Sequence, residues 1–230
     1  MDEQHRRDLR SYGRRRGRKP SPRQAALLDK LLADVVLNLA DPAPAMPAKL
    51  FTPLVRELWL EIGFGGGEHL LWQASQNPEV GFIACEPFQD GVVKVLRAIE
   101  EQKVSNIRVH ADDARAVLRW LPEACIARAF VLFPDPWPKK RHQKRRLLSA
   151  GTLGVLARVM AAGAELRVAT DIGDYARSIL LAVRAEGSFV WAPNGPSDWR
   201  ERAADWPATR YEQKAIQEGR RCAYMKFVRR

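Results

Sequence analysis

From about residue 56 the apolar and polar positions fall into repeating blocks: a short run of branched and aromatic residues, a turn, then apolar residues at helical spacing. The short runs predict strands at Glu57–Ile62, Gly81–Cys85, Ile107–His110, Ala127–Phe133, Glu165–Ala169, Ser188–Trp191 and Cys222–Val228. Helical spacing between the early runs predicts helices over Glu68–Ser75, Gly91–Gln102 and Ala114–Leu121. Alternating units of this kind imply a mostly parallel sheet covered by helices on both faces. The last two strands are separated by a long irregular stretch containing WAPNGPSDW (Trp191–Trp199), which predicts a departure from simple alternation near the C-terminus.

The N-terminal quarter is organised differently. Pro22–Ala40 carries Ala, Leu and Val at helical spacing and predicts a helix. Asp41–Pro47 holds three prolines in seven residues, which neither a helix nor a strand interior tolerates, so it is a linker. Residues 1–20, with SYGRRRGRKP from Ser11, are too polar to pack and predict a loose basic arm. The expected organisation is an arm over 1–20, a helix and Pro-rich linker over 21–50, and one domain over 51–230.

Charge narrows the class of partner. The 230 residues carry a net charge of +11, and residues 1–20 alone hold eight Lys/Arg against three acids. A field that positive favours polyanions, either nucleic acid or an anionic surface. Cys85, Cys125 and Cys222 are widely spaced and form no zinc pattern with histidine, so a reduced compartment and no metal are expected. No apolar run is long enough to span a bilayer and the polar N-terminus lacks a signal-peptide core, so the expectation is a soluble, cytoplasmic protein with no membrane partner.

The turn after the first strand carries the clearest chemistry. ELWLEIGFGGGEHLL (Glu57–Leu71) runs from strand through a Gly-rich turn into a helix. Glycines there let the chain turn sharply and let a ligand approach the backbone. A dinucleotide fingerprint, G-x-G-x-x-G/A, fails in either register, because Glu68 or Leu70 stands where a small residue is needed. The register that fits is E-x-G-x-G-x-G, from Glu61 through Gly63 and Gly65 to Gly67. Acids follow at each strand end in turn: Glu61, Glu86, Asp112–Asp113 and Asp135. Taken singly, each is an ordinary cap or loop residue. In this order they describe a crevice that repels a diphosphate and suits a sulfonium ligand with ribose hydroxyls and an adenine amine. Glu86 is placed to accept from the ribose.

A second feature follows the fourth strand. KKRHQKRR (Lys139–Arg146) holds six Lys/Arg in eight residues. Such runs are usually a solvated face. Directly after a strand-end motif, Lys139, Arg141, Lys144, Arg145 and Arg146 are candidates to grip phosphate, with His142 a bystander or a phosphate contact. Trp72, Trp120, Trp191 and Trp206 are expected to pack, while Trp137 and Trp199 are the candidates to stack on a base.

Five segments together resemble the bacterial tRNA (guanine-N7-)-methyltransferases: EIGFGGGEHL (Glu61–Leu70), CEPF (Cys85–Phe88), LFPDPWPKKRHQKRR (Leu132–Arg146), VATDIGDYA (Val168–Ala176) and TRYEQKA (Thr209–Ala215). The first alone would say only methyltransferase; FPDPWPKKRHQKRR with TRYE is far more specific. The resemblance spans roughly Arg10 to the C-terminus. It implies a doubly wound α/β, Rossmann-like sheet of seven mostly parallel strands with an antiparallel last strand. It implies S-adenosyl-L-methionine as methyl donor, tRNA as partner with its target guanine in the variable loop, and a monomer or weak homodimer. By resemblance, Glu61, Glu86, Asp113 and Asp135 match donor positions, with Asp113 taken over Asp112 because Ala114 follows it. Lys139, Asp171, Thr209, Arg210, Tyr211 and Glu212 match substrate positions, and Asp135 the catalytic one. The chain departs from the commonest family pattern at Tyr211, at the doubled aspartate and at Pro138.

The chemistry agrees with the residues. Guanine N7 has a free lone pair at neutral pH, so positioning and electrostatics carry the reaction and no nucleophile–base pair is required. The opposite edge of the base presents N1–H and an amine, and Asp135, Asp171 or Glu212 would suit it. Two other functions compete. A nicotinamide-dependent oxidoreductase is disfavoured by Glu68, and a non-enzymatic basic RNA-binding protein leaves the ordered strand-end acids without a role.

Overall fold

The computed structural model describes residues 15, 17 and 20–230. The basic arm expected over 1–20 therefore lies almost wholly outside the described residues. The chain divides into two compact units, one ending at Pro122 and the other spanning Glu123–Arg230.

In the first unit β1 (Glu57–Ile62), β2 (Val80–Cys85) and β3 (Ile107–His110) run parallel in the order β3-β2-β1, with Glu57 beside Val80 and Phe82 beside Ile107. All six residues of β2 are buried, as a parallel strand covered on both faces requires. Leu60, Phe82, Ile83, Val95, Leu96 and Leu118 are fully enclosed and form the centre of this unit. Helices Glu68–Gln76, Gln89–Gln102 and Ala114–Trp120 follow the three strands in turn.

The N-terminal helix is shorter than its periodicity suggests. Ser21 caps it in a reciprocal capping box with Gln24, Pro22 opens the first turn, and the coil widens to a π turn over Leu27–Leu31. It ends at Val35 rather than Ala40, because Val36 is extended and bridges Val109 while the Leu37 N–H donates to the Val109 carbonyl at 3.0 Å. Covering the open edge of β3 outweighs continuing the helix. The linker is anchored as well, its Asp41 carbonyl accepting from Trp120 Nε1 at 2.7 Å.

Asn106 ties these layers together. Its side-chain amide donates to the carbonyls of Ala74, Asn77 and Val80 at 3.1, 3.1 and 2.9 Å, joining the end of one helix to the start of β2. Replacing Asn106 with Ala strands those buried acceptors and should cost about 1–3 kcal/mol in denaturant unfolding. A loss within experimental error would show that water takes over the contacts.

In the second unit β4 (Ile126–Leu132) runs parallel to β5 (Met160–Thr170), β7 (Ala223–Arg229) lies antiparallel to β5, and the two-residue β6 (Phe189–Val190) pairs antiparallel with β7. Helices Ala150–Val159 and Gly173–Glu186, which the periodicity did not single out, connect these strands. The irregular stretch before β7 contains two further helices, Ser197–Arg200 and Arg210–Gln217. The seven strands form a mixed, mostly parallel sheet, with the antiparallel last strand that was expected. Among the described residues no helix is long and apolar enough to cross a membrane.

Candidate active site

In the first unit the chain after β1 turns through Gly63, Gly65 and Gly67, all with positive φ (78°, 55° and 83°). Gly67 serves as N-cap of the next helix, and a Cβ there would meet Val95 Cγ2 at 2.3 Å, so both conformation and packing demand glycine. A Cβ on Gly63 would meet nothing within 4 Å, so open space lies beside the turn where a ligand can approach the backbone.

Two carboxylates frame this turn. Glu86 follows β2 and is 7% exposed; its Oε2 accepts from the Gly65 N–H and its Oε1 from the Phe88 N–H, both at 2.8 Å. Glu61, 2% exposed, accepts from His69 Nδ1 at 2.7 Å through Oε2. His69 Nε2 in turn lies 3.2 Å from the Gln73 amide. This chain along one helix face fixes the carboxylate, and the second Glu61 oxygen has no partner among the described residues.

The doubled aspartate splits by depth. Asp113 caps the Ala114–Trp120 helix, with the backbone and guanidinium of Arg115 on its oxygens at 2.6–2.9 Å and only 12% of its side chain exposed. Asp112 is 48% exposed and pairs with Arg15 at 2.6 Å. His110, at the end of β3, was not singled out from the sequence. Burial lowers its pKa against the opposing pull of Asp112 and Asp113, and its Nε2 is buried without a partner. It sits beside Cys85, whose thiol is pushed far up by burial first and then by Asp113 and Glu86, so the thiol is no nucleophile. Buried acids at two strand ends and an open glycine turn suit a cationic ligand rich in hydrogen-bond donors.

In the second unit β4 stops at Leu132 because Phe133 turns left-handed, with φ of 51°, and Trp137 does so again at 42°. Between them stand Pro134, Asp135 and Pro136. Non-glycine residues held there are uncommon and mark an imposed shape. Asp135 is solvent-exposed with no hydrogen-bond partner among the described residues. The protein around its carboxyl desolvates it, raising its pKa above the usual carboxylate value.

The basic run that follows is two populations. Lys140–Arg145 form a 3-10 helix from which Lys139, Lys140, Arg141 and Lys144 project as exposed cations, paired with no carboxylate among the described residues. His142 has its pKa lowered by desolvation and by Arg145, Arg141, Lys139 and Lys144 around it. Arg145 stacks on Trp137 with its Cζ 5.0 Å from the ring centre. Arg146 departs from the phosphate-gripping role expected of it. It is buried, and its guanidinium is spent on the Pro136 carbonyl, Ser178 and Asp174. Trp137 also meets His142 edge-on and Trp199 lies under Arg200, so both are covered on one side by neighbours.

The remaining expected substrate residues lie around β5 and β7. Asp171 follows β5 and pairs with Arg220 at 2.6 Å through one oxygen. Thr209 caps the Arg210–Gln217 helix by accepting from the Glu212 N–H at 3.3 Å. Glu212 is 4% exposed; its Oε1 takes Tyr224 Oη at 2.7 Å and Arg202 Nε at 3.0 Å. That hydrogen bond and burial raise the Tyr224 pKa, burial being the larger cause. Glu212 thus secures the chain before β7, whereas Arg210 and Tyr211 are exposed. Trp206 packs against Tyr224 and Arg167, as expected of a buried tryptophan.

A family described as "Putative methyltransferase" matches residues 55–225. The tRNA (guanine-N(7)-)-methyltransferase of Rhodospirillum rubrum is 50% identical over 233 residues, covering all of this chain and 91% of the relative. That of a Chelativorans species is 47% identical over 218 residues, 95% of this chain and 94% of the relative. Among solved structures, the 16S rRNA methyltransferase KamB superposes with a TM-score of 0.58 at 19% identity, covering 83% of this chain and 96% of that one. An antibiotic-related methyltransferase gives 0.56 at 12% identity, with 84% and 95% covered. These two likenesses support the Rossmann-like methyltransferase fold.

Proposed function

Because the chain belongs to the bacterial tRNA (guanine-N(7)-)-methyltransferase family, we propose that it methylates N7 of a guanine in tRNA, in the variable loop, with S-adenosyl-L-methionine as donor. The observation that carries the reading within this chain is Asp135: an exposed carboxylate with no hydrogen-bond partner among the described residues, in a turn held between two left-handed residues. Two non-glycine residues at positive φ on either side of one carboxylate mark a shape imposed on this turn, as at sites of chemistry.

The donor residues would be Glu61, Gly63, Gly65, Gly67, Glu86 and Asp113 with Ala114. The Glu61 oxygen that has no partner among the described residues is an acceptor for hydroxyl or amine hydrogens, and Glu86 is a buried carboxylate beside the same turn. When bound, S-adenosyl-L-methionine supplies an activated sulfonium methyl group. Guanine N7 needs no base, so Asp135 works by charge: it stabilises the positive charge that the purine gains on methylation. Asp171 keeps one oxygen free and is the better reader of N1–H and the amine, because the Glu212 carboxylate is already engaged by Tyr224 and Arg202. Lys139, Arg141 and Lys144, with Lys140, hold phosphate, and Arg210 and Tyr211, exposed at the start of the Arg210–Gln217 helix, are further contacts to tRNA.

Incubating the protein with bulk tRNA and labelled donor, then analysing nucleosides, should give 7-methylguanosine as the labelled product; label in another nucleoside or in none rejects the reading. The phosphate role is checked by salt. Neutralising Lys139, Lys140, Arg141 and Lys144 together should flatten the log–log salt dependence of tRNA binding by about 3, given roughly 0.7–0.9 per contact. Donor affinity should not change. An unaltered slope would mean that these side chains are only a solvated face.

A further inference from the structure

We propose that Arg146 is a positioning residue for methyl transfer, holding the Phe133–Trp137 turn in the shape that aims the Asp135 carboxylate. The proposal rests on the reading of Asp135 given above.

The turn cannot hold itself. Pro134, Pro136 and Pro138 have no N–H, so backbone bonds of the usual kind are missing at alternate residues. Its two non-proline ends, Phe133 and Trp137, are nevertheless kept at positive φ. Phe133 is fixed through its N–H, which donates to the Ala169 carbonyl at 2.7 Å. At the other end the hold is Arg146. Its Nε donates to the Pro136 carbonyl at 2.9 Å, one residue after Asp135. Its Nη1 donates to Ser178 Oγ at 3.0 Å and its Nη2 to Asp174 Oδ2 at 2.5 Å. The guanidinium lies 4.8 Å from the centre of the Tyr175 ring. Only 5% of the side chain is exposed, so it is not a surface cation. Gln143 adds a second tie to Asp174 at 3.1 Å.

A rigid fork satisfying three acceptors in different directions is something arginine does and lysine does not. The clamp also reaches across the fold. Asp174 and Ser178 belong to the Gly173–Glu186 helix, which begins two residues after Asp171. Arg146 therefore keeps the Asp135 turn in register with the segment that carries the second carboxylate of the site. Nothing in the run KKRHQKRR distinguishes this arginine from its neighbours.

The test compares Arg146→Lys, Ser178→Ala, Asp174→Asn, Arg141→Ala and Asp135→Asn in steady-state kinetics. Arg146→Lys should lower kcat on the order of a hundredfold, the cost of a misplaced reacting geometry, with KM for tRNA, its salt slope and donor affinity unchanged. Its kcat–pH profile should keep activity to lower pH, because a loosened turn moves the Asp135 carboxyl away from the protein atoms that partly desolvate it. A merely structural role would change the melting temperature without moving that acid limb. Ser178→Ala and Asp174→Asn remove one acceptor or one charge from the clamp and should give smaller kcat losses in the same direction. They decide the matter should Arg146→Lys fail to fold. Arg141→Ala should do the opposite, with its main effect a raised KM and a flattened salt slope. A wild-type kcat in Arg146→Lys, or in both milder variants, overturns the proposal, as does a loss confined to KM and salt slope. If Asp135→Asn itself turns over normally, the reading of Asp135 has failed and the clamp with it. If Asp135→Asn is inactive and Arg146→Lys is not, the clamp alone has failed.

Discussion

Asp135→Asn should fold at least as well as the parent chain and lose turnover by on the order of a hundred- to a thousandfold, the usual cost of removing one preorganised electrostatic group. The two effects come from the same cause. Desolvation raises the Asp135 pKa, which means that the fold disfavours the ionised carboxylate relative to the unfolded chain. For a raised acid the linkage runs one way: its contribution to stability is present at low pH and lost as pH rises through the folded pKa. At neutral pH the ionised group is a net cost, and the near-isosteric amide removes it. Thermal denaturation at neutral pH should accordingly show an unchanged or higher Tm, while single-turnover kinetics with saturating tRNA and donor show the loss. The parent enzyme should lose activity on the acid side at a pH above that of an ordinary aspartate. A variant that is inactive because it is unfolded, or one that turns over normally, would each refute the assignment.

The second large effect is expected at a position that touches no substrate. Gly91 lies in the first turn of the Gln89–Gln102 helix, where alanine would ordinarily be preferred by up to about 1 kcal/mol. Here a Cβ would stand 2.2 Å from the Gly65 carbonyl oxygen and 3.2 Å from Glu86 Cγ. The obstacle is backbone, so relief requires the glycine turn to move. Overpacking of this kind costs about 1–3 kcal/mol, and where the turn yields, the same energy appears as roughly ten- to hundredfold weaker donor binding. Calorimetric titration with S-adenosyl-L-methionine should show that loss in Gly91→Ala. Gly151→Ala is the control: it also lies in a first helical turn, its Cβ would meet nothing within 4 Å, and it should leave donor affinity unchanged. Equal affinity in the two variants would mean that helix and turn are not in register for binding.

Much of the architecture was legible one residue at a time. The unbroken apolar run of β2 and the E-x-G-x-G-x-G turn specify strand, turn and helix through local preferences, and the acids at successive strand ends follow from the chain order. The strands fall within a few residues of expectation. The long tail of β5, beginning at Met160, was not expected, because the small residues of Met160–Ala164, with Gly163 among them, have little strand preference of their own and join the ladder only where a neighbouring strand is there to pair, Ile126 lying beside Met160. Val36 was assigned to a helix for the converse reason: its spacing is helical, but the open edge of β3 offers it a better partner.

Side-chain roles divided along the same line. Residue type and position were enough to mark Glu61, Glu86, Asp113, Asp135 and the cationic run, because charge and order are properties of the chain. Whether a charge is free or spent is not. Asp135 has no hydrogen-bond partner among the described residues and Glu212 is engaged; Lys144 is exposed and Arg146, two residues on, is buried. Those distinctions arise when distant segments converge: the Pro136 carbonyl, Ser178 and Asp174 on one guanidinium, and Tyr224 and Arg202 on one carboxylate. A sequence states which groups can ionise or donate. Only the fold decides which of them water still reaches, because desolvation and hydrogen-bond pairing depend on neighbours that are close in space and remote along the chain.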